Sequence, residues 1–344
     1  MRSTAGLLLC LCLAATPAGA EWYPVQVQAD GQALAYTPLA KARQPWRLCA
    51  LLPHGKDRYW WGVAWGLHGE AKRQGVKLGI YEAGGYENPQ VQIDQLRQCQ
   101  RLDADAYLIA AINTEDLCPA IAELQAEGTP VIDLVNRLDC PGVSAHSRID
   151  FADMVAAALA YIEGAREAGP YSLGWLPGPQ NSGWVTDAES GLARSLRGRA
   201  VTLYHGGYGP VDRASQAQLV RGLLGAHPQV DYLLGNAEAA GFAAQLVQSA
   251  GPRYRATQVM ASYATERILE QIKEGYILAA PTDSPVLQAR IAVDLAVRIL
   301  EDQPHAQLVS PQIEMLDQSS LQRFDISRLM PPSGHWMVRQ ELSD

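Results

Sequence analysis

From Trp46 onward the chain alternates short apolar runs with longer amphipathic ones, and it does so in two successive blocks. Residues 47–52, 76–81, 106–112 and 130–135 have the β-rich composition of strands, and 60–74, 88–101 and 116–127 between them have helical spacing. The run Tyr107-Leu108-Ile109-Ala110-Ala111-Ile112 contains no charged residue, as a strand covered on both faces requires. The second block repeats the pattern, with strands at 172–176, 201–205, 232–234 and 258–262 and helices at 184–196, 214–226, 238–250 and 266–274. Strand–helix repetition implies parallel sheets with helices on both faces. The expected fold class is therefore α/β, with two doubly wound parallel-sheet lobes, a hinge and a ligand cleft between them. A last strand at 276–280 precedes a helix at 286–300 that should pack back on the first lobe. The expected first lobe is 46–149 plus 283–307, and the expected second lobe is 150–282 plus 308–330. Residues 21–45 and 331–344 show no clear periodicity and are expected to be an irregular extension and a tail.

The first residues narrow the compartment. Arg2, the apolar stretch 6–15 and Ala18-Gly19-Ala20 have the order of a secretory leader, so 1–20 is expected to be a cleaved signal peptide. Cys10 follows Leu9, not a small residue, which argues against a lipid anchor. No later apolar run reaches the roughly 20 residues of a membrane helix, so no membrane insertion is expected. The formal charge of −8 becomes −9 once Arg2 leaves, and an acidic chain without a basic stripe is a poor binder of nucleic acid. Of six cysteines, Cys10 and Cys12 fall in the leader and leave Cys49, Cys99, Cys118 and Cys140. Their closest spacing, 118 − 99 = 19 residues, is unlike the close ligand pairs of metal sites, and an even number in an exported chain points to disulfides. Three pairings are open. The topology favours Cys49–Cys99, from first strand to the helix on it, and Cys118–Cys140, both on one rim of the first lobe.

Ligands of doubly wound sheets bind at the carboxyl ends of strands, so residues just after strands are the candidates for a site. Asp57, Tyr59 and Trp60 follow the first strand, Tyr86 the second and Asn136 the fourth; Phe151 marks the crossover, and Trp184 and Tyr263 follow strands of the second block. Aromatic residues make up only 7% of the chain, so their clustering at these positions is informative. Converging ring faces can stack on a sugar or enclose a methylated cation, and Asp57 tilts the balance toward a cation-like group. The competing structural role makes Asp57 a helix N-cap, Trp60 core, and Tyr86 and Tyr263 surface or lobe-packing residues.

The runs Arg47-Leu48-Cys49-Ala50-Leu51-Leu52-Pro53, Lys56-Asp57-Arg58-Tyr59-Trp60, Glu82-Ala83-Gly84-Gly85-Tyr86, Gln92-Ile93-Asp94-Gln95, Leu134-Val135-Asn136 and Leu176-Pro177-Gly178-Pro179, with the stretch around Tyr263, carry a family likeness. From about Thr37 to Gly334 the chain resembles the TorT family, periplasmic binding proteins of type 1 that bind trimethylamine N-oxide and work with the sensor histidine kinase TorS. The resemblance implies a periplasmic, non-enzymatic protein whose partners are trimethylamine N-oxide and a kinase ectodomain. It places the ligand cage on Trp60, Tyr86, Phe151 and Tyr263, with Asp57 close by, and implies no cofactor. Phe151 departs from the tryptophan usual there, and the second cysteine pair is not general in the family. The donor to the N-oxide oxygen stays open among Lys56, Asn136, Arg137, a backbone N–H and a held water. A ligand of five non-hydrogen atoms, at about −1.5 kcal/mol each, reaches about −7.5 kcal/mol, or about 1 μM.

The main rival is a sugar-binding protein of an ABC transporter, with Asn136, Arg137, Asp150, Asn236 and Asp283 available for hydroxyls. A related repressor would need an N-terminal DNA-binding element where the leader stands. A hydrolase would need a nucleophile motif, and Asn181-Ser182-Gly183 lacks the first glycine of G-x-S-x-G. His54, His68, His146 and His205 are isolated in the sequence, without ligand spacing.

Overall fold

Residues 22–45, expected to be irregular, in fact carry a period-two pattern. In β1 (Val25–Ala29) Val25, Val27 and Ala29 are buried while Gln26 and Gln28 are exposed, and β1 pairs antiparallel with β2 (Gln32–Tyr36). The computed structural model describes residues 22–180, 182–254, 256–332, 336 and 338–342; the expected leader 1–20 lies outside the described residues.

Beyond the hairpin come β3 (Arg47–Leu52), α1 (Arg58–Gln74), β4 (Lys77–Glu82), α2 (Pro89–Arg101), β5 (Ala106–Ile109), α3 (Thr114–Ala126), β6 (Val131–Leu134) and β7 (Ala145–Ser147). Strand β3 sends Leu48, Ala50 and Leu52 to one face of its sheet and Cys49 and Leu51 to the other, each set into its own apolar cluster. This two-sided burial is why the run reads as continuously apolar. Helix α1 begins at Asp57, whose carboxylate accepts from Trp60 N at 3.1 Å, and ends at Gly75, whose φ of 81° closes the helix in the left-handed region glycine tolerates.

The second block comprises α4 (Phe151–Ala165), β8 (Tyr171–Leu176), α5 (Gly183–Leu196), β9 (Val201–His205), α6 (Arg213–Ala226), β10 (Tyr232–Gly235), α7 (Ala237–Ser249), β11 (Gln258–Ala261) and α8 (Glu266–Lys273). After β12 (Ala280–Thr282) the chain enters α9 (Pro285–Leu300), then β13 (Leu308–Pro311) and β14 (Glu314–Leu316). Among the described residues one sheet has the order β2-β1-β13-β7-β6-β5-β3-β4 and the other β11-β10-β8-β9, with β12 and β14 forming a separate pair.

Two expectations are corrected here. Residues 308–311, assigned to the second lobe, pair as β13 with β7 and with β1 in the first sheet, because Val27 and Pro311 meet in register from opposite ends of the chain. The strand expected at 276–280 is displaced: Leu278 N and Ala279 O bond to β11, but the strand itself is β12, which pairs with β14.

Helix α9 is buried along nearly its whole length and packs against α1 and the first sheet. Its Asp294, fully buried, accepts from Tyr36 Oη at 2.5 Å, Leu39 N at 2.8 Å, Gln74 Nε2 at 2.8 Å and Arg298 Nε at 2.7 Å. One carboxylate thus ties the hairpin, α1 and α9 together. The tail also has a defined place: Ile80 N donates to Gln340 O at 2.7 Å and Gln340 N to Ile80 O at 2.9 Å, extending the sheet beyond β4. Val338 packs on Gly55, where an added Cβ would stand 3.0 Å from the valine side chain.

Both disulfides are present, Cys49–Cys99 with Cα atoms 6.2 Å apart and Cys118–Cys140 with Cα atoms 5.2 Å apart. Replacing Cys118 and Cys140 together by serine should lower stability by about 3 kcal/mol on chain-entropy grounds, measured by urea denaturation. Asp294→Ala should cost about 3 kcal/mol or more in the same assay, since it leaves Arg298 Nε and three further donors without their acceptor.

Candidate functional site

The residues that follow the strands meet across the two sheets. Tyr59 and Trp60 open α1 just beyond β3, Tyr86 follows β4, Phe151 opens α4, Trp184 lies in the first turn of α5, and Tyr263 follows β11. Their rings form an unbroken belt. Tyr59 stands edge-on to Trp60 at 5.5 Å between centroids and to Tyr263 at 6.1 Å. Tyr263 stands edge-on to Phe151 at 6.3 Å and to Trp184 at 6.1 Å, and Phe151 and Trp184 are 5.3 Å apart. On the first-lobe side His54 bridges Trp60 at 5.8 Å and Tyr86 at 5.7 Å. The lobes also touch around this belt through Arg58 Nε and Glu266 at 2.5 Å and through Arg137 Nη1 and Asp187 at 3.9 Å.

Some of the competing structural roles hold alongside these positions. Trp60 is 3% exposed and belongs to the first lobe's core, and Asp57 is the N-cap of α1. Asp57 nevertheless contributes its field to the belt, since its charge helps raise the phenol pKa of both Tyr86 and Tyr263. Burial is the larger cause in each case, and with Tyr59, raised first by burial and then by Asp283, all three hydroxyls stay neutral.

The polar residues around the belt are engaged with the protein. Asn136 Nδ2 donates to Ala111 O at 2.9 Å and to Tyr86 Oη at 3.0 Å. Asn236 Nδ2 donates to Leu176 O and Gln216 Oε1, and its Oδ1 accepts from Ala239 N. Asp150 pairs with Arg148, Arg137 with Asp139, and Lys56 with Glu87 at 3.6 Å.

Two residues that sequence reasoning left out of the site join it. His54 has no ligand spacing in the sequence, yet it lies between Trp60 and Tyr86, and burial holds its imidazole below the ordinary pKa against the pull of Asp57. Asp283, considered only for sugar hydroxyls, accepts from Tyr59 Oη at 2.5 Å and from Gln288 Nε2 at 2.9 Å. Both stand within two residues of a strand's carboxyl end, the positional signal that marks the aromatics. Among the described residues no group of His, Cys, Asp and Glu has the arrangement of a metal site.

Residues 49–304 match the family model described as periplasmic binding protein domain. The periplasmic protein TorT of Escherichia coli (strain K12) is 32% identical over 303 residues, covering 87% of this chain and 86% of that protein. The chain belongs to the periplasmic binding proteins, in the TorT family. An ABC transporter solute-binding protein from Bradyrhizobium sp. BTAi1, solved with bound bis-tris, is 37% identical with a TM-score of 0.83, covering 94% of this chain and all (100%) of that one. A complex of the TorS sensor domain with TorT, solved in the presence of trimethylamine N-oxide, gives a TM-score of 0.76 at 26% identity, covering 86% of this chain and 100% of the matched one. The TorT family is periplasmic by the name of its curated members, and this chain shares that placement.

Asp283 supplies a test of the site's electrostatics. It is 3% exposed, and burial raises its pKa above the usual aspartate value. The folded state therefore binds the proton more tightly than the unfolded chain, and the associated stability is present at low pH and declines as pH rises through the raised pKa. Asp283→Asn should remove that decline and leave the ligand-free protein more stable than the parent at pH 7.5, with a smaller difference at pH 4. Urea denaturation at both pH values checks the order, and a less stable variant at pH 7.5 would show the ionised carboxylate to be stabilising.

Proposed function

We propose that this protein binds trimethylamine N-oxide within the belt and signals its presence to a TorS-like sensor histidine kinase, controlling trimethylamine N-oxide respiration. The observation that carries the proposal is the belt of Tyr59, Trp60, Tyr86, Phe151, Trp184 and Tyr263, drawn from both lobes, around which Asn136, Asn236 and Arg137 are already spent on protein partners. A sugar site needs several uncommitted donors and acceptors for hydroxyls; a methylated nitrogen needs ring faces and negative potential, here from Asp57. The related TorT was solved with TorS in the presence of trimethylamine N-oxide, and the Bradyrhizobium protein with bis-tris, a tertiary amine that also carries five hydroxyl groups. That second relative supports another reading, in which the chain delivers a substituted amine to an ABC transporter.

Calorimetric titration of the mature protein with trimethylamine N-oxide, bis-tris, ribose and glucose separates these. The expected outcome is micromolar binding of trimethylamine N-oxide and none of the sugars. Binding of a sugar alone would overturn the proposal. A kinase ectodomain that fails to co-purify with the protein, with and without ligand, would favour the transporter reading.

A further inference from the structure

Resting on that reading of the ligand, we propose that the Tyr86 hydroxyl is the hydrogen-bond donor to the ligand's oxygen and that Asn136 is the residue that positions it. The argument starts from Ala111 O. A carbonyl can only accept, so the Asn136 atom 2.9 Å from it must be the amide nitrogen, which fixes the orientation of the amide. The second hydrogen of that nitrogen points to Tyr86 Oη at 3.0 Å. Tyr86 Oη is therefore an acceptor toward Asn136, and its own proton is left over. No described residue accepts that proton, and the ring lies in the belt between His54 and the two lobe cores. Burial keeps the phenol from ionising, so the proton stays available.

The backbone is bent to allow this. Val135, buried and β-branched, has φ 61°, in the left-handed region such residues avoid, and Asn136 N closes a tight turn onto Leu134 O at 2.7 Å. Strain of this kind persists where surrounding contacts over-determine it, often at ligand clamps. Here it turns the chain at the end of β6 so that the Asn136 amide reaches two partners.

Three other candidate donors are committed. Tyr59 gives its proton to Asp283, Lys56 is exposed and pairs with Glu87, and Arg137 pairs with Asp139 and Asp187. Asn136 itself has no hydrogen left to give. The consequence is selectivity: an N-oxide gains a bond that a quaternary ammonium of the same shape lacks.

The test uses trimethylamine N-oxide and tetramethylammonium, in which a methyl group replaces the oxygen, titrated calorimetrically into the full mature protein and its variants. Tyr86→Phe should weaken trimethylamine N-oxide binding about tenfold and leave tetramethylammonium unchanged. Asn136→Ala should produce the same selective loss, and the double variant should lose no more than either single one. Equal weakening of both probes in Tyr86→Phe would make the residue a packing surface and overturn the proposal. Unchanged trimethylamine N-oxide binding would also overturn it, and would pass the role to His54 or Tyr263. Tyr86→Phe removes one atom, so the test stands even should Asn136→Ala fail to fold. Parent protein that binds no trimethylamine N-oxide fails the functional reading itself and takes this proposal with it.

Discussion

The return of α9 to the first lobe is the constraint on which the arrangement depends. The chain leaves the first sheet after β7, comes back through β12 into α9, and leaves again between β13 and β14. Two of these passages meet the belt, one through Phe151 at the start of α4 and one through Asp283 just before α9. Buried Asp294 holds the returning helix to the hairpin and to α1. Helix α1 in turn carries Tyr59 and Trp60, so its hold on α9 sets where two of the six belt rings can be.

The belt itself combines apolar burial with electrostatic tension. Rings from two lobes exclude water, and the same exclusion raises the pKa of Asp283 and keeps three phenols neutral. A buried carboxylate with one oxygen left without a partner is costly for the ligand-free protein. Binding proteins accept such costs where rigidity and polarity must already be in place when the ligand arrives.

Much of this was legible in the sequence because strands covered on both faces read as apolar runs. The aromatics could be found because ligands collect at strand ends. In β1 the signal was present but short, Val25, Val27 and Ala29 alternating with glutamine over five residues; what the sequence does not show is its partner Pro311 at the other end of the chain. For the same reason β13 was placed in the wrong lobe: nothing in residues 308–311 says that β1 and β7 flank it. The roles of His54 and Asp283 depend on Tyr86 and Tyr59 arriving from other segments, and no spacing within a single segment encodes that.

The tail shows how a distant segment enters the site's dynamics. Gln340 bonds to the backbone of β4, and Val338 rests on Gly55, whose carbonyl accepts from Trp61 Nε1 at 2.9 Å. The loop bearing His54 and Asp57 and the last residues of the chain therefore belong to one cooperative unit. When thermal fluctuation lifts the tail from the sheet edge, the Ile80 amide becomes open to solvent hydrogen and the loop loses its floor in the same event. A ligand held in the belt should then register at Gln340 as slower amide exchange, 340 − 316 = 24 residues beyond the end of β14 in sequence but adjacent to the site's own scaffold.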